Sequence, residues 1–200
     1  AGGHPTDSFF SELPNKQTRV SFTLTNGTLY FNDQRKFGFC KVLETNEVMQ
    51  DSFIKKLAKE PWQMSVTEFS KNLARYKNAE IKPTILDQTV IAGLGNIYAD
   101  EALFLAKIHP ERLTGSLSET EISDLLEAAK SVMQASINSG GSTMATYVKA
   151  DGTRGDYLQK FAQVFRREGE PCNRCGTEII KIKVAGRGTH LCPHCQKKIL

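Results

Sequence analysis

Apolar and polar residues alternate over residues 20–25, with Val20, Phe22 and Leu24 on one side and Ser21, Thr23 and Thr25 on the other. That period of two predicts a half-buried strand. Asn26-Gly27 follows, the dipeptide best suited to a two-residue hairpin turn, and Leu29-Tyr30-Phe31 starts the return strand. Residues 37–43, with Phe37, Phe39, Val42 and Leu43, offer a third strand, in which Cys40 is expected to be an ordinary buried thiol. Residues 1–16 carry few apolar positions and two prolines and are expected to form a loop. The period becomes helical beyond a boundary near residues 44–50. A short helix is predicted over residues 50–59, with Phe53, Ile54 and Leu57 on its apolar face and Pro61 closing it. Ser65 with Glu68, and Ser118 with Glu121, have the spacing of capping boxes and mark two further helix starts. After the second, Ile122, Leu125, Leu126, Ala129, Val132 and Met133 recur every three or four residues until Gly140-Gly141. This is a long amphipathic helix lying on a core.

Composition adds limits. The 200 residues are 40% hydrophobic and 24% charged, enough for one large domain or two small ones. No apolar run approaches the roughly 18–20 residues of a membrane helix, and wholesale disorder is excluded. No basic stretch followed by an apolar one opens the chain, so no secretory signal is visible. The net charge of +4 is unevenly spread: residues 1–148 hold 15 Lys/Arg against 17 Asp/Glu, whereas residues 149–200 hold 11 against 5. A basic C-terminal quarter suits a polyanion, with a solvated basic tail as the plainer alternative.

Four of the five cysteines lie in that quarter, as Cys172-Asn173-Arg174-Cys175 and Cys192-Pro193-His194-Cys195. Each Cys-x-x-Cys turn presents two thiolates, and two such knuckles joined by a hairpin make a tetrahedral zinc site. Two disulfides or a redox pair are the alternatives, and nothing else in the sequence points to a secreted protein. His194, inside the second knuckle, is read as a bystander. Four thiolates fill the coordination sphere, so the zinc is structural. Between the knuckles, residues 178–184 read as a strand, 185–188 as a turn and 189–191 as its return. Arg187, between Gly186 and Gly188, can bind phosphate from such a tip, or can simply be solvated.

Two more segments carry chemistry. Ile81-Lys82-Pro83 precedes Val90-Ile91-Ala92-Gly93-Leu94-Gly95-Asn96-Ile97-Tyr98, which lacks the third glycine of a dinucleotide fingerprint. It reads as helix, glycine turn, helix, with the first helix opened by Pro83, Lys82 just before it, and Asn96 as an N-cap whose neighbouring amides can meet phosphate. In Asn32-Asp33-Gln34-Arg35-Lys36-Phe37-Gly38 two cations stand beside an aromatic ring. That loop suits a phosphate grip with a ring inserted into a base stack, or a core Phe flanked by solvated charges.

Taken in order, NDQRKFG, IKPTILDQTVIAGLGNIYADEALFLAKIHPER, GGSTMATYVKADGTRGDYLQ and CNRCG…AGRGTHLCPHCQ resemble the formamidopyrimidine-DNA glycosylase family of bacterial enzymes that excise oxidised purines. The resemblance runs from about residue 17 to the end. It implies an α+β architecture: the remnant of an N-terminal β-sandwich-type domain (1–48), a helix–two-turn–helix domain (49–165) and a β-hairpin zinc finger (166–200). It further implies that Lys82, Asn96 and Arg187 bind phosphates near the lesion, that Arg187 also serves the late elimination step, and that Arg35 and Phe37 fill the gap left by the extruded base, with Lys36 beside them. Residues 142–158 correspond to the loop over the flipped base. One structural Zn2+, damaged or abasic duplex DNA as partner, a monomeric state and a bacterial cytoplasmic, nucleoid-associated setting also follow from it.

The departures are informative. The family's nucleophile is an N-terminal proline followed by glutamate, with a lysine further along, whereas this sequence starts Ala1-Gly2-Gly3-His4 without an initiator Met. The chain alone is therefore expected to bind DNA without forming the covalent intermediate. The Met that accompanies the gap-filling Arg and Phe is missing, and Gln17 stands where many members carry a DNA-touching His. The function implied is excision of 8-oxoguanine and formamidopyrimidines with β,δ-elimination at the abasic site. The alternatives are a non-catalytic DNA-binding module, the oxidised-pyrimidine branch of the family, and a zinc ribbon that binds RNA or protein.

Overall fold

The computed structural model describes residues 13–142 and 157–198. Strands β1 (Thr18–Leu24) and β2 (Gly27–Asn32) form an antiparallel hairpin. Leu24 pairs with Gly27, so the two turn residues are Thr25 and Asn26, one position earlier than Asn26-Gly27. The pairs Val20–Phe31, Ser21–Tyr30 and Phe22–Leu29 keep the alternation, yet Phe22, Leu24 and Leu29 remain exposed. The expected third strand is absent. Residues 37–43 find no partner strand; Asp33 instead draws in the backbone N–H groups of Arg35, Lys36 and Gly38, and Val42 is 94% exposed. Cys40 is exposed there, not buried.

The first helix, α1 (Ser52–Lys56), is shorter than the pattern predicts, because Leu57 turns extended and residues 57–60 are not helical. Its N-cap is Asp51, which accepts from Phe53 N at 2.9 Å. Ser65 caps α2 (Val66–Ala74) by accepting from Glu68 N. Helix α3 (Ile81–Ile85) starts at Ile81, so Lys82 lies within it and Pro83 occupies its third position, where a missing N–H costs nothing. Helix α4 (Asn96–Leu105) and the long α5 (Glu119–Asn138) pack together, and α2 packs on α5. Both halves of the Ser118–Glu121 capping box are made at the start of α5.

The main core gathers Phe69, Leu73, Ile81, Ile85, Leu103, Leu125 and Leu126 from these helices and Ile91 from the turn between α3 and α4. Fully burying each such side chain contributes about 1.5–3 kcal/mol. A second, smaller core joins Phe104 of α4 to Val164, Cys172, Ile179 and Cys192. Helix α4 is thus shared between two cores, which explains why it is apolar nearly all round. Beyond the short α6 (Tyr157–Lys160), β3 (Ile180–Val184) and β4 (Arg187–Leu191) form the C-terminal hairpin. None of the described helices is long and apolar enough to cross a membrane.

Candidate nucleic-acid interface and metal centre

The two cysteine knuckles converge. All four Sγ atoms of Cys172, Cys175, Cys192 and Cys195 lie within 4.8 Å of one another. The Cys175 sulfur is 3.5 Å from those of Cys192 and Cys195, and that of Cys172 is 4.0 Å from Cys195. Thiolates held about 2.3 Å from a central zinc stand about 3.8 Å apart, so the set fits one tetrahedral ion. Backbone N–H groups of Arg174 and Cys195 point at the Cys172 and Cys192 sulfurs at 3.4 Å, favouring thiolates. The side chain and N–H of Thr177 draw the Cys175 thiol down to about 6. Gly176, at φ 77°, supplies the left-handed residue that closes the first knuckle. His194 is exposed and stands outside the sulfur cluster.

Ala185 and Gly186, at φ 46° and 81°, form the hairpin turn, and Val184 pairs with Arg187. Arg187 is therefore the first residue of β4, held in the strand ladder and not within a four-residue turn. Among the described residues no carboxylate pairs with it. Gly188, opposite Lys183, turns its carbonyl towards the helices.

Lys82 is fully buried. Its Nζ meets Asp100 Oδ1 at 2.6 Å, Thr189 Oγ1 at 2.6 Å and the Gly188 carbonyl at 3.1 Å. Two hydrogen bonds and one ion pair therefore engage the ammonium inside the protein, where the sequence pointed to a phosphate contact. The residue instead ties α3 to the hairpin. Burial lowers its pKa, the Asp100 charge and hydrogen bond oppose that, and nearby Arg187 lowers it further.

Asn96 is the first residue of α4, and Gly95 is the N-cap, so Asn96 makes no side-chain cap. Its Nδ2 donates to the same Gly188 carbonyl at 3.2 Å. The leading amides of α4 have no intrahelical acceptor, which leaves the helix N-terminus open to an anion beside Arg187.

Three residues that sequence reading missed hold this junction together. Asp100, one helical turn after Asn96, accepts from the His190 N–H at 3.0 Å through Oδ2, while its Oδ1 holds Lys82. Glu101 accepts from the backbone of Gln163, Val164 and Phe165 at 2.7, 3.0 and 2.8 Å; burial raises its pKa and those N–H groups oppose the rise. Gln196 bridges Cys192 N and the Ile108 carbonyl. The available signal was weak: Asp100 and Glu101 are charged residues inside an otherwise apolar helix.

The second cluster is exposed. Asp33 accepts from Arg35 N and Lys36 N, each at 3.0 Å, and from Gly38 N at 2.6 Å. The Gly38 N–H leads in holding the Asp33 carboxyl below its usual range. On that tight loop Phe37 stands 80% exposed, with the Arg35 guanidinium 5.4 Å from its ring centre. Gln17 is half-buried at the foot of β1, where its carbonyl accepts from Asp33 N. Of the loop expected over residues 142–158, residues 143–156 lie outside the described residues. Its base is fastened by the Tyr98 hydroxyl, 2.9 Å from Ser142 Oγ.

Residues 57–148 match the family model described as the formamidopyrimidine-DNA glycosylase H2TH domain, and residues 169–198 match a zinc finger found in FPG and IleRS. A formamidopyrimidine-DNA glycosylase of Pelotomaculum thermopropionicum is 46% identical over 186 residues, covering 92% of this chain and 67% of that protein. The chain belongs to the formamidopyrimidine-DNA glycosylase family. The Listeria innocua glycosylase is also 46% identical, over 94% of this chain and 69% of its own length. Among solved structures, a Lactococcus lactis FPG variant in complex with DNA containing Fapy-dG superposes with a TM-score of 0.84 at 42% identity. That match covers 94% of this chain and 69% of the other. The MutM (FPG) protein from Thermus thermophilus gives 0.83 at 36% identity, covering 94% and 71%. The glycosylase family's α+β fold, helix module and hairpin finger are all present, and its finger carries the one structural zinc site assembled here.

Proposed function

We propose that this chain grips duplex DNA around a damaged or abasic nucleotide, in a protein that excises oxidised purines such as 8-oxoguanine and formamidopyrimidines and nicks the resulting abasic site by β,δ-elimination. The observation that carries the reading is Arg187: a cation without an acidic partner among the described residues, beside the open amides of α4 in a chain of this family. Arg187 and the α4 terminus with Asn96 bind phosphates on one side. Arg35, Lys36 and Phe37, with Gln17 near them, work from the exposed loop, where Phe37 enters the stack at the gap left by the flipped base. Flipping costs a few kcal/mol of unstacking, which an inserted ring partly restores. Arg187 also serves the late elimination step.

The zinc holds the finger in shape and supplies no open coordination position for activating water. The working division is a β-rich segment (1–48), a helical DNA-binding part (49–165) and the finger (166–200), acting as a monomer at the nucleoid of a bacterial cytoplasm. The test is binding to matched duplexes that are undamaged, contain 8-oxoguanine, or contain a stable abasic analogue, at fixed salt. Tighter binding to the altered duplexes is expected, and equal affinity for all three overturns the reading. An oxidised-pyrimidine duplex in the same series separates the two branches of the family.

A further inference from the structure

Asp100 sits at the junction of three elements without facing solvent. From α4 it reaches Lys82 of α3 through Oδ1 at 2.6 Å, and the His190 amide of β4 through Oδ2 at 3.0 Å. The His190 ring lies 3.3 Å from the same Oδ2 through Nδ1 and 2.8 Å from Glu168 through Nε2. Lys82 carries the connection onward, donating to Thr189 Oγ1 at 2.6 Å, and that hydroxyl donates to the Arg187 carbonyl at 3.1 Å. A continuous path of polar contacts, an ion pair from Asp100 to Lys82 and hydrogen bonds from there on, thus runs to the backbone of Arg187, and it is buried up to Thr189. The Gly188 carbonyl, next along β4, is held by Lys82 and Asn96 together.

The charges are arranged to match. The Asp100 carboxylate cancels the buried Lys82 ammonium, so the positive charge available at the junction belongs to Arg187. Paired buried charges are tolerated, whereas a lone one is costly. Asp100 is therefore the counter-charge that lets the Lys82 ammonium stay buried beneath the strand that carries Arg187.

We propose that Asp100 is a positioning residue for DNA binding: by fixing Lys82 and the His190 amide at once, it sets Arg187 against the amino end of α4 so that guanidinium and helix amides meet the same phosphate. The inference rests on the DNA-binding reading above. It predicts that a side chain which never touches DNA controls an ionic contact to DNA.

The experiment compares wild type, Asp100→Asn, Arg187→Ala and the double variant on the abasic-analogue duplex over a range of salt. Zinc content and far-ultraviolet circular dichroism certify each fold. Loss of one phosphate contact makes the slope of log affinity against log salt shallower by about 0.9. Asp100→Asn is expected to show that change, with roughly tenfold or greater weakening, the worth of one charge-assisted hydrogen bond. The double variant is expected to bind no more weakly than Arg187→Ala. Wild-type slope in Asp100→Asn, or losses that add to those of Arg187→Ala, overturns the proposal. If Asp100→Asn does not fold, the charge-free pair Lys82→Met with Asp100→Leu takes its place, and wild-type affinity and slope there are equally fatal. A wild-type chain that does not distinguish the abasic duplex from the undamaged one would instead overturn the functional reading itself.

Discussion

The side-chain amide of Asn96 donates to the carbonyl of Gly188 at 3.2 Å, although the two residues are 92 positions apart. This bond places the start of α4 one residue from Arg187 and makes helix and finger a single surface. Arg187→Ala should weaken binding to abasic-analogue duplex roughly tenfold and make its salt slope shallower by about 0.9. Asn96→Ala removes a neutral group, so affinity should fall while the slope stays as in wild type. Titrations at several salt concentrations distinguish the two.

Removing the metal should undo the finger before the helices. The main core is built without the cysteines, whereas the second core includes Cys172 and Cys192. A strong zinc chelator is expected to abolish amide protection in β3 and β4 and to eliminate specific DNA binding, leaving most helical circular dichroism intact. Cys40→Ser, outside the sulfur cluster, should keep full zinc content.

The start of α5 is held by its capping box and by Arg112. Ser118→Ala should cost about 1 kcal/mol, read as a lower denaturant midpoint at unchanged slope. Burial works against ionisation of Glu121, but the hydrogen bonds from Arg112 and Ser118 outweigh it and hold its pKa below the ordinary 4.5. Its contribution is therefore complete above that ordinary value and is lost as pH falls through the lower, folded-state one. Acid unfolding of Glu121→Gln should lack that part of the pH dependence.

Phe37 offers a separation of function. Being 80% exposed, its change to Ala should alter stability by no more than about 0.5 kcal/mol. The same change should weaken binding to lesion-containing duplex and reduce the fluorescence rise of a 2-aminopurine placed beside the lesion. Unchanged fluorescence would place the ring outside the stack.

The long helices were legible because their signals are local. The Ser118–Glu121 spacing and the run from Ile122 to Met133 specify start, face and length of α5 without reference to anything distant. The zinc site was legible because thiolate pairs at fixed spacing have few other uses in such a chain. What escaped were features decided by partners far along the sequence. Residues 37–43 have strand-like composition but no strand beside them, so Asp33 captures the local backbone instead. Lys82 reads as a surface cation next to a proline; only the arrival of Asp100 and Thr189 makes a buried lysine tolerable. Asp100 and Glu101 themselves gave no periodic signal, since their acceptor roles are set by β4 and by residues 163–165.

Gln196 has a further consequence. One end of its amide fixes the Cys192 backbone and the other holds the Ile108 carbonyl beyond the end of α4. Thiolate geometry is thus partly preset by a helical unit that contains no metal ligand, and metal affinity becomes linked to the folding of that unit. A peptide of residues 169–198 should hold zinc more weakly than the intact chain does. By the same reciprocity, metal loading should raise the melting temperature of helices that never touch the ion.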